Sequence, residues 1–232
     1  MLVLGIDTAT SRVSVAIGDA DTVRGEVHLA GGRRHAEQLA PAVQYLCREL
    51  EVELDHVTAI AVGLGPGLFT GLRVGVTTAK VMAQTLRIPV VGVPSLDLVA
   101  YPLRHSHRLL AIVLDARRHE VFHAQYRPVP GGVQRISDYD VSTPAELVAE
   151  LGATDDDVLL AGDGVDRYGP EFAALDHVEL AGPEFSWPSA AALVELAAAR
   201  VQREEFEAPW DVHPMYLRKS DAEIEWDHRA TS

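Results

Sequence analysis

Short apolar runs recur along the chain, and their spacing changes repeatedly from two to three and four. Residues 2–6 form an apolar run that predicts a strand. Val13, Val15 and Ile17 alternate with Ser14 and Ala16, which predicts a second strand beyond a tight turn at 10–12. A third strand is expected at 23–29, broken by Gly31 and Gly32. Leu39, Val43, Leu46 and Leu50 then fall at helical spacing within 36–50, with Pro41 marking a kink or a later start. Residues 57–64 and 88–93 read as buried strands, separated by a helix that ends near Leu86; a short helix follows at 95–101. The pattern restarts near Arg108. Strands are expected at 109–115, 120–127 and 133–141. Thr143-Pro144 caps and starts a helix, 158–161 is a strand, and Pro188 introduces an Ala-rich helix over 189–203. Each half thus runs three strands and then alternates helix with strand. The pattern predicts an α/β chain of two topologically similar lobes, 1–105 and 106–232.

One stretch, G-L-G-P-G-L-F-T-G-L-R-V-G from Gly63 to Gly75, raises the question of a phosphate loop. The dinucleotide fingerprint fails: the sixth residue from Gly63 is Leu68, and from Gly65 it is Thr70. The P-loop fails too, because the chain contains no Gly-Lys pair. Gly65-Pro66-Gly67 is a turn signal, with Thr70 a candidate N-cap for the helix behind it. In that helix Gly71, Gly75 and Ala79 form a small-residue stripe, and Leu72, Val76, Ala83 and Leu86 an apolar one, widened by Val74, Val81 and Met82. A helix apolar nearly all round needs cover on more than one side. One cover is its own sheet; the other is the 36–50 helix or another protein. The expected partner surface comprises Leu39, Val43, Leu46, Gly71, Leu72, Gly75, Val76, Ala79 and Met82.

Composition narrows the function. At net charge −14 the chain lacks the basic excess of a free-standing nucleic-acid binder, so tight unaided tRNA binding is not expected. Cys47 is the sole cysteine, which excludes an intrachain disulfide and a thiolate zinc cluster. No run approaches the roughly 18 apolar residues of a membrane span, and Asp7 falls too early for a secretory leader. The chain is expected to be cytoplasmic. His119–His123 spells H-E-V-F-H, but a zinc protease needs that motif on a helix. On a strand the two histidines stand roughly 13 Å apart. His105 and His107 fall in a polar loop, and Cys47 on the apolar side of its helix. No metal or cofactor is expected.

The stretches L-G-I-D-T-A-T-S-R-V-S-V-A-I, R-R-H-A-E-Q-L-A-P-A-V, G-L-G-P-G-L-F-T-G-L-R-V-G-V-T-T-A-K, G-V-P-S-L-D-L-V-A, L-D-A-R-R-H-E-V-F and P-M-Y-L-R-K-S, in this order, resemble the bacterial TsaB (YeaZ) family of tRNA threonylcarbamoyladenosine biosynthesis proteins. The match is dense over the first 125 residues and thin beyond; Leu68 departs from the family's usual serine. The resemblance implies a two-lobed actin/Hsp70-like ATPase (ASKHA) fold with a degenerate nucleotide site. It implies a non-catalytic scaffold that dimerises with the catalytic subunit TsaD and recruits the ATPase TsaE. The complex transfers threonylcarbamoyl to adenosine 37 of ANN-decoding tRNAs. The partner surface would be a helical bundle built on 35–50 and 71–86, with a homodimer as the alternative when the partner is absent.

This fold grips ATP with a glycine-bearing hairpin in each lobe. Here Ala9 sits in the first hairpin, beside Asp7 and Thr10, and the second, Asp115 to His119, has no glycine. Asp7, Thr10 and Asp115 are therefore weak nucleotide candidates; Asp7 also suits a turn-capping role. Gly162-Asp163-Gly164 is either a remnant adenosine loop or a plain turn. The catalytic relative carries two metal-binding histidines in G-V-N-H-x-E-G-H, where this chain has Ser95 and Val99, so that metal site is expected to be lost. Arg117 and Arg118 are expected to pair with nearby carboxylates. A kinase of the same fold and, more remotely, a metalloprotease are the rival readings.

Overall fold

A computed structural model describes residues 1–218 apart from Gly31 and Arg33. The expected break at Gly31, and Lys219 and Ser220 of the last matching stretch, lie outside the described residues. The first lobe begins with β1 (Val3–Asp7), β2 (Arg12–Gly18) and β3 (Val23–Ala30), continues through α1 (His35–Glu49), β4 (Ala59–Gly63), α2 (Phe69–Leu86) and β5 (Val90–Val93), and leaves by α3 (Ser95–Ala100). The second contains β6 (Leu109–Arg117), β7 (Glu120–Val129), β8 (Gly132–Arg135), β9 (Asp140–Ser142), α4 (Pro144–Leu151), β10 (Val158–Ala161), α5 (Asp163–Phe172) and β11 (Val178–Leu180); α6 (Ala190–Gln202) follows. The sheets run β3-β2-β1-β4-β5 and β8-β7-β6-β10-β11, the same order twice, with β9 added on β7. In both, the first three strands are antiparallel neighbours and the last two join in parallel.

Local chemistry accounts for the elements. The central strands β1 and β4 are buried at every position, as their unbroken apolar runs require. Thr143 closes a capping box on α4, accepting from the Glu146 N–H at 3.3 Å while the Glu146 carboxylate accepts from the Thr143 N–H at 2.8 Å. Ser189 caps α6 by accepting from the Ala192 N–H at 3.2 Å. The helix α1 continues through Pro41, whose missing N–H leaves the carbonyl of exposed Glu37 without its partner in the ladder, on the solvent side of the helix. Thr70 does not cap α2: it is the second helical residue, and the N-cap is Leu68, which makes no side-chain hydrogen bond.

Two departures from the sequence reading concern the second half. The expected strand at 133–141 is two short strands, and α5 and β11 carry no clear apolar run. More importantly, the second lobe does not take all of 106–232. The helix α6 packs its Ala190, Leu193, Val194, Ala197 and Ala198 against Val3, Ala59, Ala61 and Val91 of the first sheet. Beyond it, Glu207 pairs with Val90 at the open edge of β5, and Val212 enters the core beneath α1 and α2. Among the described residues, no helix is long and apolar enough to cross a membrane.

Candidate functional site

The glycines of the loop serve packing. A Cβ at Gly71 would overlap the Thr8 carbonyl, and one at Gly75 the Thr8 hydroxyl. These two positions let α2 lie directly on the turn between β1 and β2. That contact is cemented by hydrogen bonds: the Thr8 hydroxyl donates to the Gly71 carbonyl at 2.8 Å, and the Leu68 N–H to the Ala9 carbonyl at 2.7 Å. His35, at the start of α1, lies with its Nε2 2.8 Å from the Thr10 carbonyl.

The partner surface named from the sequence is corrected by this arrangement. Leu39, Val43 and Leu46 on α1, and Gly71, Leu72, Gly75, Val76 and Ala79 on α2, are buried inside the chain, and Met82 is half-buried against the same core. Helical periodicity located an apolar stripe but could not say that the β1–β2 turn rises to fill it. The helix α2 turns outward Thr70, Arg73, Thr77, Val81 and Gln84, a ridge at helical spacing, with Thr85 exposed beside it. Val81 is 56% exposed, and Tyr45 on the neighbouring α1 48%. Both are large apolar side chains standing in water, and neither belongs to the buried set.

The first hairpin offers no free ligand group at its carboxylate. Asp7 is buried; its Oδ1 accepts from the Ala9 N–H at 3.0 Å, and its Oδ2 accepts from the Ser95 hydroxyl at 2.6 Å. Burial pushes the carboxyl above the usual range, against the pull of these two hydrogen bonds. Ser95 in turn accepts from the Gly65 N–H at 3.1 Å. The residue at the relative's metal-ligand position is thus an internal tie between α3, the glycine loop and β1. Val99 is buried in the apolar cluster of the second lobe.

The second hairpin is closed differently. Arg117, Arg118 and His119 all have positive φ (65°, 54° and 61°), three consecutive left-handed residues without a glycine. Asp115 accepts from the Arg117 N–H and guanidinium, each at 2.9 Å, and from Arg167 at 3.4 Å. Its own N–H donates to Asp163 Oδ1 at 2.9 Å. Burial pushes the Asp163 carboxyl up to about 7; the Asp115 N–H lowers it and the Asp115 charge raises it. Asp163, at the start of α5, was read from the sequence as the middle of a remnant adenosine loop or of a plain turn. Gly162 before it, at φ 113°, presses on the Val113 carbonyl. An inter-lobe cavity of about 330 Å³ has Arg12, Glu26, His28, Phe185 and Trp187 among its walls, with the Arg12 guanidinium 4.3 Å from the Trp187 ring centre. Asp7, Thr10 and Asp115 do not line it.

The H-E-V-F-H residues do not converge. His119 lies in the turn, with its ring edge-on to Tyr168 at 5.3 Å. His123 is buried on β7, 3.0 Å from the Ser142 hydroxyl, and burial lowers its pKa. No group of three or more His, Cys, Asp or Glu among the described residues could hold a metal ion.

Two lobes on one repeated sheet order, each with a hairpin leading out of its first strand, define the actin-like fold. The activator of 2-hydroxyisocaproyl-CoA dehydratase from Clostridium difficile shares this fold, with a TM-score of 0.55 at 10% identity over 88% of this chain and 98% of that one. The chain belongs to the TsaB (YeaZ) proteins of tRNA threonylcarbamoyladenosine biosynthesis, within the wider family of the tRNA N6-adenosine threonylcarbamoyltransferase TsaD, whose model matches residues 27–226. TsaB of Bacillus subtilis is 30% identical over 233 residues, covering 97% of this chain and 98% of that protein. YeaZ from Pseudomonas aeruginosa superposes with a TM-score of 0.80 at 29% identity, over 93% and 99% of the two chains. The protein ML0378 of Mycobacterium leprae is 36% identical over 95% of this chain, which spans 56% of that protein.

Proposed function

We propose that this chain is a non-catalytic subunit of the machinery that attaches threonylcarbamoyl to tRNA, working by pairing with a TsaD-like catalytic subunit. The observation that carries the reading is the closure of the first hairpin. The carboxylate that would serve a nucleotide's metal is spent on Ser95 and Ala9. The chain holds out instead a two-helix surface with Tyr45 and Val81 exposed. In this reading the partner meets the outward ridge of α2 and the adjoining face of α1, and the paired subunits recruit a TsaE-like ATPase. Without the partner, the same ridge supports a homodimer.

Two substitutions on one helix test it. Val81→Arg changes only the outward ridge. It should leave the melting temperature within a few degrees while weakening association with the purified catalytic subunit roughly ten- to a hundredfold, the loss expected when an interface anchor is replaced by charge. Ala79→Leu changes the buried stripe, and overpacking of about 1–3 kcal/mol should lower stability instead. Unchanged affinity in Val81→Arg would move the interface off α2. Turnover of ATP by the chain alone would end the non-catalytic reading.

A further inference from the structure

The chain returns to the first lobe with α6, yet its last described residues do not stay there. From Glu207 onward the backbone runs as a strap over three successive supports. At the β5 edge, Glu207 exchanges backbone hydrogen bonds with Val90, and its carboxylate accepts from the Gly92 N–H at 3.0 Å. Along α2, the Lys80 ammonium donates to the Val212 carbonyl at 3.0 Å, and the Val212 side chain is buried in the core of the first lobe. At the glycine loop, the Met215 N–H donates to the Leu64 carbonyl at 2.7 Å. The Tyr216 ring then lies 5.0 Å from Phe69, which also carries the Arg73 guanidinium at 4.1 Å. The next two residues cross to the other lobe. Leu217 packs against the apolar cluster of the second sheet, and Arg218 donates to Glu120 Oε2 at 2.6 Å. Glu120 is the first residue of β7, directly after the left-handed hairpin.

We propose that residues 207–218 are an inter-lobe latch that fixes the angle between the lobes. The first-lobe end is held by backbone pairing, a buried valine and several hydrogen bonds to main-chain groups. At the second-lobe end Leu217 packs half-buried and Arg218 pairs with Glu120, with side-chain exposures of 22% for Arg218 and 35% for Glu120. With the latch shut, the first hairpin and the glycine loop beneath it are tied to the base of the second hairpin. Rotation of one lobe on the other, the motion by which a two-lobed cleft opens, requires Leu217 and Arg218 to let go. The latch does not depend on which protein meets α2.

The experiment uses the full chain. Amide hydrogen exchange is read at Met215 and Leu217. The inter-lobe distance is read by electron–electron resonance between spin labels at the exposed positions Gln44 and Glu171, in a Cys47→Ser background. Glu120→Arg and Arg218→Glu should each speed exchange at Met215 about fivefold, and the double swap should restore it. Leu217→Asp should speed it roughly tenfold or more and broaden the distance distribution. Exchange at Val62 and Leu160, in the two sheet cores, should stay unchanged in every variant, which separates release from unfolding. Normal exchange at Met215 in both charge variants, or a distance distribution in Leu217→Asp identical to the parent's, would overturn the latch.

Discussion

The two hairpins occupy equivalent places in two copies of one topology, yet they are closed by opposite means. The first, between β1 and β2, is sealed from behind. Its carboxylate and carbonyls face the interior, and α2 presses on it through Gly71 and Gly75. The second, between β6 and β7, is sealed at the surface by ion pairs around Asp115, over a backbone held in an uncommon conformation. A phosphate cradle needs free N–H groups and room. The first hairpin lacks room because a helix lies against it; the second lacks it because Cβ atoms and arginines fill the turn. The difference shows that one binding geometry can be lost through the core or through the rim, with different energetic signatures.

Mutations should separate these signatures. The largest effect is expected for Gly71→Val, which drives a β-branched side chain into the Thr8 carbonyl. A loss of at least ~3 kcal/mol is expected, or a melting point lower by roughly 6–12 °C, read by circular dichroism. Asp7→Ala should follow. It strips the partner from the buried Ser95 hydroxyl and Ala9 N–H, at about 1–3 kcal/mol for each orphaned group. A variant as stable as the parent would show that the first seal is not made by Asp7.

The second hairpin should answer to pH. Asp163 is raised from the ordinary carboxylate value to about 7 in the folded chain, so the native state holds a proton that the unfolded state releases. Its contribution is complete below about pH 4 and is lost as pH rises through about 7. Asp163→Asn keeps the acceptor for the Asp115 N–H and removes the titration. The melting point of the variant relative to the parent should therefore rise between pH 5 and pH 8, by the equivalent of ~1–2 kcal/mol. A constant offset across that range would refute it. The smallest effect is expected for Arg118→Gly, where relief of one left-handed residue is set against loss of the side chain's own interaction. Stability should change by less than about 1 kcal/mol, read as the shift in denaturant midpoint.

Elements with a strong local cause were legible in the sequence. The strands β1 and β4, the Thr143 cap of α4 and the Ala-rich helix α6 behind Pro188 follow from periodicity and side-chain chemistry alone. So does the strand setting of His123. What was not legible depended on which distant segment arrives. The Gly71–Gly75–Ala79 stripe was found, but its occupant, Thr8, lies more than sixty residues away. The same holds for Ser95, read as a lost ligand and found as Asp7's partner. For α5 the reason differs: its start at Gly162-Asp163-Gly164 is dominated by turn formers, and Pro170 interrupts its pattern.

The return of α6 to the first sheet also orders events during synthesis. The strands of the second sheet all lie between residues 109 and 180, so that lobe can complete its pairing soon after it leaves the ribosome. The first sheet, though made earliest, has one face bare until α6 emerges and one edge bare until Glu207 follows. Closing that lobe means joining segments almost two hundred residues apart, the slowest kind of contact to form. The half translated first is therefore the half that finishes last, and through that interval its apolar strands are the part of the nascent chain in greatest need of a chaperone.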